Sequence, residues 1–271
     1  MLTFRTDYDK IIKILLEFIK KFSQGKEVVI GLSGGVDSAL CGMLACNALG
    51  KKKVHILVMP SRYTPEADVK DALNLAKKIA HKIIFVPKIK LEKIRKSYDK
   101  VMLTTGENEN IVMDAYIRND LLRRYSRTYG YRLLGTINGS EWRLGYYPKY
   151  SLIGDLLPIA DLYKSQVFEL AEDIGIPKKI CDKVPTLGLG CSPKAKDEKL
   201  SHIDRELIKS RLNFLELDKI LVGLDRHLSA REIVKYGKEK ITSNQVNIVR
   251  AIVRAYRHKT KLPPYPKINV Y

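Results

Sequence analysis

The sequence predicts an α/β protein, a doubly wound parallel sheet followed by a C-terminal helical extension. Short apolar runs alternate with segments of helical period through roughly the first two-thirds of the chain, the pattern of strands joined by helical crossovers. The first of these runs ends in a string of small residues, Gly31-Leu32-Ser33-Gly34-Gly35, directly ahead of a helical stretch. Beyond about residue 180 the strand pattern stops and helical periodicity continues alone.

Residues 7–24 carry Ile11, Ile12, Ile14, Leu15, Leu16, Phe18 and Ile19 at helical spacing, an amphipathic helix. Residues 27–32 (EVVIGL) are a short apolar run, a buried strand. Residues 37–49, rich in alanine and leucine, form the next helix. A second strand covers 54–60 (VHILVMP), a helix 65–80 and a third strand 82–87. Helix 110–128 leads into strand 131–135 (YRLLG), and helix 163–174 follows. Between 197 and 257 only helices are predicted, in three stretches beginning at Asp197, Ser229 and Ser243. The proline-rich tail from Lys261 is extended. No linker separates two units. The expectation is one domain over 1–271, with an α/β core at about 25–180 and a helical part at about 195–260.

Composition is ordinary for a globular chain, 45% hydrophobic and 29% charged. No apolar stretch approaches the roughly 20 residues of a membrane helix. The N-terminal segment lacks the compact apolar centre and small-residue cleavage site of a signal peptide, so a cytoplasmic location is expected. None of the cysteines, Cys41, Cys46, Cys181 and Cys191, forms a CxxC pair; Cys41 and Cys46 fall in the apolar helix as core residues. Net charge is +19, which attracts polyanions. The lysines are spread along helix faces, not gathered beside stacking aromatics, so a solvated basic surface with anionic nucleotides as ligands is the reading. Specific nucleic-acid recognition is not expected.

The strand-to-helix junction runs Gly31-Leu32-Ser33-Gly34-Gly35-Val36-Asp37-Ser38. Small residues there let the backbone turn sharply and bring N–H groups and hydroxyls close to an anion, and the following helix adds its positive end. No Gly-Lys-Ser/Thr is present, so the loop is not the type that grips β and γ phosphates through lysine. Asp37 inside a phosphate cradle would repel its ligand unless a divalent cation bridges them, which points to Mg²⁺ on Asp37.

This SGGVDS string resembles the loop of the N-type ATP-pyrophosphatases, which adenylate a substrate oxygen, release pyrophosphate and let a nucleophile displace AMP. Downstream come Gly135-Thr136-Ile137-Asn138-Gly139-Ser140-Glu141 and Gly145-Tyr146-Tyr147-Pro148-Lys149-Tyr150. Pro158 to Val167, Lys183-Val184-Pro185-Thr186, Asp197-Glu198 and His258-Lys259-Thr260-Lys261-Leu262-Pro263-Pro264 follow. In order and spacing this series resembles the ammonia-dependent NAD synthetases, from the phosphate loop nearly to the C-terminus. The resemblance implies a Rossmann-like fold and a homodimer. The implied reaction is amidation of deamido-NAD by ammonia, with ATP cleaved to AMP and pyrophosphate.

Carried over position by position, it implies that Gly31, Leu32, Ser33, Gly34, Gly35, Val36, Asp37 and Ser38 hold ATP, joined by Thr136, Lys164 and Thr186. Asp37 and Glu141 hold Mg²⁺, and Asp37 and Lys164 are the catalytic pair. Arg118, Lys149, Asp155, His258 and Lys259 contact deamido-NAD. Met59-Pro60-Ser61-Arg62 lies where the adenine ring would sit. Two carboxylates distant in sequence suit one Mg²⁺ that also takes phosphate oxygens and water, and lysine neutralises charge developing on the leaving group.

The chain departs from the family pattern at Tyr116, which stands where the family has the first arginine of A-R-x-R, with Arg118 retained. The family's K-Y-G-D-G-G-x-D is also replaced, by Lys149-Tyr150-Ser151-Leu152-Ile153-Gly154-Asp155. These leave open a related ligase acting on another carboxylate, and the charge leaves open a tRNA-modifying ATP-pyrophosphatase. A nucleotide binder without catalysis would not need both metal carboxylates and the lysine. No cysteine-nucleophile pattern is present and no glutaminase part is expected ahead of residue 1, so ammonia comes from solution or from a partner.

Overall fold

The computed structural model describes residues 7–102, 107–149, 154–183, 201–237 and 241–261. Thr186, Cys191, residues 150–153 and most of the proline-rich tail lie outside them.

Helix α1 (Tyr8–Ser23) starts on Asp7, whose carboxylate accepts from Lys10 N, and stops where Gln24 turns left-handed at φ 54°. Strand β1 (Val28–Gly31) then runs into α2 (Val36–Leu49), and β2 (Val54–Val58) into α3 (Glu66–Ile79). After β3 (Lys82–Phe85) come α4 (Lys88–Met102) and α5 (Glu107–Tyr129), then β4 (Arg132–Leu133). The strands lie in the order β3-β2-β1-β4, every pair parallel, with Val29 opposite His55 and Leu133. A parallel bridge between Leu134 and Leu156 extends the sheet beyond β4.

Side chains alternate between two apolar layers, as period 2 requires. Val28 and Ile30 of β1 and Val54, Ile56 and Val58 of β2 pack on one face with Leu15, Ile19, Leu40, Leu44 and Leu75. Val29, Leu57 and Met59 face the other layer, with Leu91 of α4 and Ile117 and Leu122 of α5. The sheet is therefore covered on both faces, and burial of each such side chain contributes about 1.5–3 kcal/mol. That is the doubly wound architecture the alternation predicts. From β1 the chain steps outward through β2 and β3, then returns to the opposite side of β1 as β4. This reversal opens a crevice at the carboxyl ends of β1 and β4.

The remaining elements are α6 (Gly139–Leu144), α7 (Lys164–Asp173), α8 (Lys178–Cys181), α9 (His202–Ser210), α10 (Phe214–Asp225), α11 (Ala230–Gly237) and α12 (Ser243–Tyr256). A 3-10 turn, Arg257–Thr260, follows α12. Helices α9 to α12 share a second core of Ile203, Leu207, Ile220, Leu221, Ile233, Val249 and Ile252, into which Leu144 and Tyr163 of the α/β part insert.

The sequence reading runs α9 and α10 together as one stretch, and the structure divides them. Arg211 turns left-handed at φ 56°, and Asn213 opens α10 with a reciprocal capping box to Glu216. Helices α4, α6 and α8 were not predicted as elements. The first has lysine at nearly every turn and a weak apolar stripe, and the other two are too short to show a period. Cys41, Cys46 and Cys181 are free thiols, with Cys41 and Cys181 buried. Among the described residues no helix is long and apolar enough to cross a membrane.

Candidate active site

The loop after β1 holds its own curve. Ser38 Oγ donates to Gly35 O (3.0 Å) and accepts from Ser33 N (3.2 Å), while Gly35 N donates to Ser33 Oγ (3.2 Å). Gly34 sits at φ +88°, and a Cβ there would collide with the Asp68 backbone of α3, so only glycine fits. The two serine hydroxyls thus shape the loop. Helix α2 has no side-chain cap, in contrast to α6, α9, α10 and α12, so no capping side chain engages its first N–H groups at the switch point.

Lys183, just after α8, secures this loop from the far side. Its ammonium donates to Gly34 O (3.0 Å) and pairs with Asp68 (2.7 Å) and Asp71 (2.9 Å) on α3. Burial pushes Asp71 upward, but hydrogen bonds from Lys179 and Lys183 more than reverse this, and its carboxyl lies below the ordinary range.

Asp37, in the first turn of α2, meets α6 and α7. Asn138 Nδ2 donates to Asp37 Oδ1 at 2.9 Å, and Lys164 Nζ, at the start of α7, forms an ion pair with Asp37 Oδ2. Asn138 also caps α6: its Oδ1 accepts from Glu141 N (2.9 Å) while its own N–H donates to Glu141 Oε2 (3.1 Å). One fully buried asparagine therefore holds both acidic residues, which come from segments about a hundred positions apart. Burial, the neighbouring Asp37 charge and only partial relief from Lys164 and the Asn138 N–H raise the Glu141 carboxyl to about 8. Two crowded carboxylates beside the positive end of a helix fit a hard divalent cation that also takes an anion. No cluster of three or more His, Cys, Asp or Glu occurs among the described residues, so phosphate oxygens and water would have to complete its shell.

Cys41, one turn after Asp37, is no nucleophile. Burial, then Asp37 and Glu141, push its thiol well above the usual range, and its Sγ lies 3.8 Å from Gly135 O as a donor.

The remaining predicted residues divide. Thr136 lies in the crevice segment between Gly135, bridged to Leu156 O, and Asn138. Ser61 N and Oγ bond Thr64 Oγ1 in a turn after β2, the place expected for an adenine. Arg118 of α5 faces the buried Asp114, near Arg95 and Arg62; burial lowers its pKa and Asp114 opposes that. Tyr116, two positions earlier and so on another side of α5, is exposed and donates to Lys149 O at 3.1 Å. Asp155 stands level with Leu133, the last residue of β4, and its carboxylate accepts from Leu133 N at 2.8 Å. His258 is exposed on the 3-10 turn, with Nδ1 3.1 Å from Ala255 O. Lys259 donates to Gly145 O and Tyr147 O, both at 2.8 Å, which engages two of its three donors. Burial lowers its pKa.

Sequence reasoning gave no role to Asn138, Ser140, Lys183 or Asp218. Asn138 carried a legible signal, the Asn-x-x-Glu capping box. The others act only through contacts between distant segments.

The match to known proteins agrees with this geometry. The family model described as NAD synthase matches residues 8–263. The chain is 35% identical to the NH(3)-dependent NAD(+) synthetase of Pyrococcus furiosus over 269 residues, 98% of this chain and 97% of that protein. Against the protein of the same name from Archaeoglobus fulgidus it is 32% identical, covering 97% of this chain and 98% of the other. Among solved structures, the NH3-dependent NAD synthetase of Campylobacter jejuni superposes with a TM-score of 0.73 at 25% identity, over 97% of this chain and 100% of that one. The fold is also that of the NMN synthetase of Francisella tularensis, with a TM-score of 0.78 at 24% identity and the same coverage. A parallel sheet with a glycine-rich loop after β1, two carboxylates joined by Asn138, and relatives matched nearly end to end make this chain a member of the NAD synthase family.

Proposed function

We propose that the chain is a ligase that amidates the carboxyl group of deamido-NAD with ammonia, cleaving ATP to AMP and pyrophosphate. The convergence of Asp37, Asn138, Glu141 and Lys164 at the N-terminus of α2 carries this reading. The loop N–H groups and the α2 dipole receive the ATP phosphates. The acceptor carboxylate attacks the α-phosphorus and pyrophosphate leaves; ammonia then attacks the adenylated carbonyl carbon and AMP leaves. Asp37 and Glu141 would hold Mg²⁺, which supplies charge neutralisation to the phosphates when bound. In the free protein the Lys164 ammonium neutralises Asp37, and release from that pair makes it available to the leaving pyrophosphate. No side chain needs to act as a nucleophile, in keeping with the buried Cys41 thiol.

Thr136 and Thr186 would complete the ATP site, and Lys149, His258 and Arg118 remain the candidates for the anionic dinucleotide. Asp155 and Lys259 are candidates through what their backbone bonds leave over, one carboxylate oxygen and one ammonium hydrogen. The family's homodimer is proposed here too, through the α4–α5 face, where Ile89, Tyr98, Val101 and Tyr116 are exposed. A cytoplasmic location is part of the same proposal, supported by the nucleotide substrates it assigns.

A pyrophosphate-release assay with ATP, Mg²⁺, deamido-NAD and ammonium tests the reading, with NAD and AMP resolved by chromatography. Release with another acid but not with deamido-NAD would overturn the acceptor and favour the second reading, a sister ligase, for which Tyr116 in place of an arginine is the observation.

A further inference from the structure

We propose that Asp218 is a positioning residue of the catalytic centre, holding Lys164 and Glu141 in place from the C-terminal helical layer. Asp218 lies on α10 with 0% exposure. One carboxylate oxygen accepts from Ser140 Oγ, and the other accepts from Ser165 N at 2.8 Å. Ser140 Oγ in turn accepts from Lys164 N at 2.9 Å. The carboxylate and the serine hydroxyl thus serve the first N–H groups of α7 and tie them to Ser140, the residue before Glu141 in α6. These are the two helices that carry the lysine and the second carboxylate of the site.

A carboxylate removed from water is costly unless fully hydrogen-bonded. A mere staple between the layers does not require one. Leu144 and Tyr163 already insert into the helical core, and Asp225 already pairs with Arg143. What the buried charge adds is placement. A negative group at the N-terminus of α7 fixes where that helix begins, and so where the Lys164 side chain starts its reach to Asp37. The same two bonds hold α6, and with it Glu141, against α7. Because the segments are 78 positions apart, the arrangement forms only when the C-terminal layer is docked.

The inference rests on the ligase reading, and its test is separable from it. Asp218→Asn keeps the shape and removes the charge; Ser140→Ala removes the link to Lys164 and keeps the bond to Ser165. Ile252→Ala, a cavity in the same helical layer away from the site, is the control for lost stability. At a temperature well below all melting points, both site variants are expected to lose about 10- to 100-fold in kcat, with ATP affinity by calorimetry changed little. Ile252→Ala keeps kcat within about twofold, as a distant packing change should. A kcat for Asp218→Asn no lower than that of the control would overturn the proposal, as would an equal loss of ATP affinity and kcat. If Asp218→Asn does not fold, Ser140→Ala decides on the same criterion. A wild-type enzyme silent with deamido-NAD would count against the function, not against this placement, which is then read by the same kcat comparison on the acid that does support pyrophosphate release.

Discussion

At the scale of single residues, the paired acids make the sharpest prediction. Asp37→Asn and Glu141→Gln each remove charge that would hold Mg²⁺ at the phosphates, and kcat is expected to fall about 100-fold or more. The two differ in stability. Glu141→Gln removes an ionisable group from a site where burial, and then the Asp37 charge, raise its carboxyl to about 8, so the ligand-free protein should melt no lower than wild type. Asp37→Asn leaves the buried Lys164 without its anion and should melt lower. Calorimetric melting beside single-turnover kinetics checks both, and unchanged activity would remove a residue from the metal site. Tyr116 decides the acceptor. Its phenol donates one hydrogen bond, to Lys149 O, and carries no charge for an anionic dinucleotide. If deamido-NAD is the native acceptor, Tyr116→Arg should lower its KM or leave it unchanged; a large rise would take this residue out of the substrate site.

At the scale of elements, the β1–α2 loop depends on its neighbours. Lys183 and Lys179 pin α3 and α8 together through Asp71. Asp71 titrates below its ordinary value in the folded state, so its contribution is present above the unfolded carboxylate pKa of about 3.9 and is lost as pH falls through the lower folded value. Asp71→Asn should therefore cost about 2 kcal/mol near pH 7, as for hydrogen bonds to charged groups. The gap to wild type should close in denaturant melts below pH 4; a gap constant with pH would show that charge plays no part. Strand and helix identities at this scale were legible because hydrophobic period and glycine punctuation are local properties. The α9–α10 break went unread although Asn213-x-x-Glu216 is a local capping signal of the same kind as Asn138-x-x-Glu141; the left-handed turn at Arg211 has no comparable mark.

At the scale of the whole molecule, the net charge of +19 separates an enzyme with a basic surface from an RNA-modifying one. If the charge is only a surface property, RNA binding should be unspecific and should fall steeply with salt, because counterion release drives it. Filter binding across a salt series reads this, and tight binding to one tRNA that persists near physiological salt would revive the RNA reading. The same scale holds the link between the α/β part and the helical layer. Asp218 and Tyr163 meet partners that no motif places beside them.

The sequence by itself determined the βα alternation, the glycine-rich loop after β1, the acid that follows it and, through the ordered motifs, the family. These rest on short-range causes: side-chain period and the backbone freedom of glycine, used at Gly34. Only the tertiary structure decided that Asn138 bridges Asp37 and Glu141, that Lys164 neutralises Asp37, and that Lys183 and Asp218 brace the site from opposite sides. It also turned Asp155 and Lys259 toward backbone groups. Hydrogen bonds and ion pairs act over a few ångströms, and which distant segments come that close is set by how the sheet reverses at β1 and how the helical layer packs against it, neither of which a local pattern encodes.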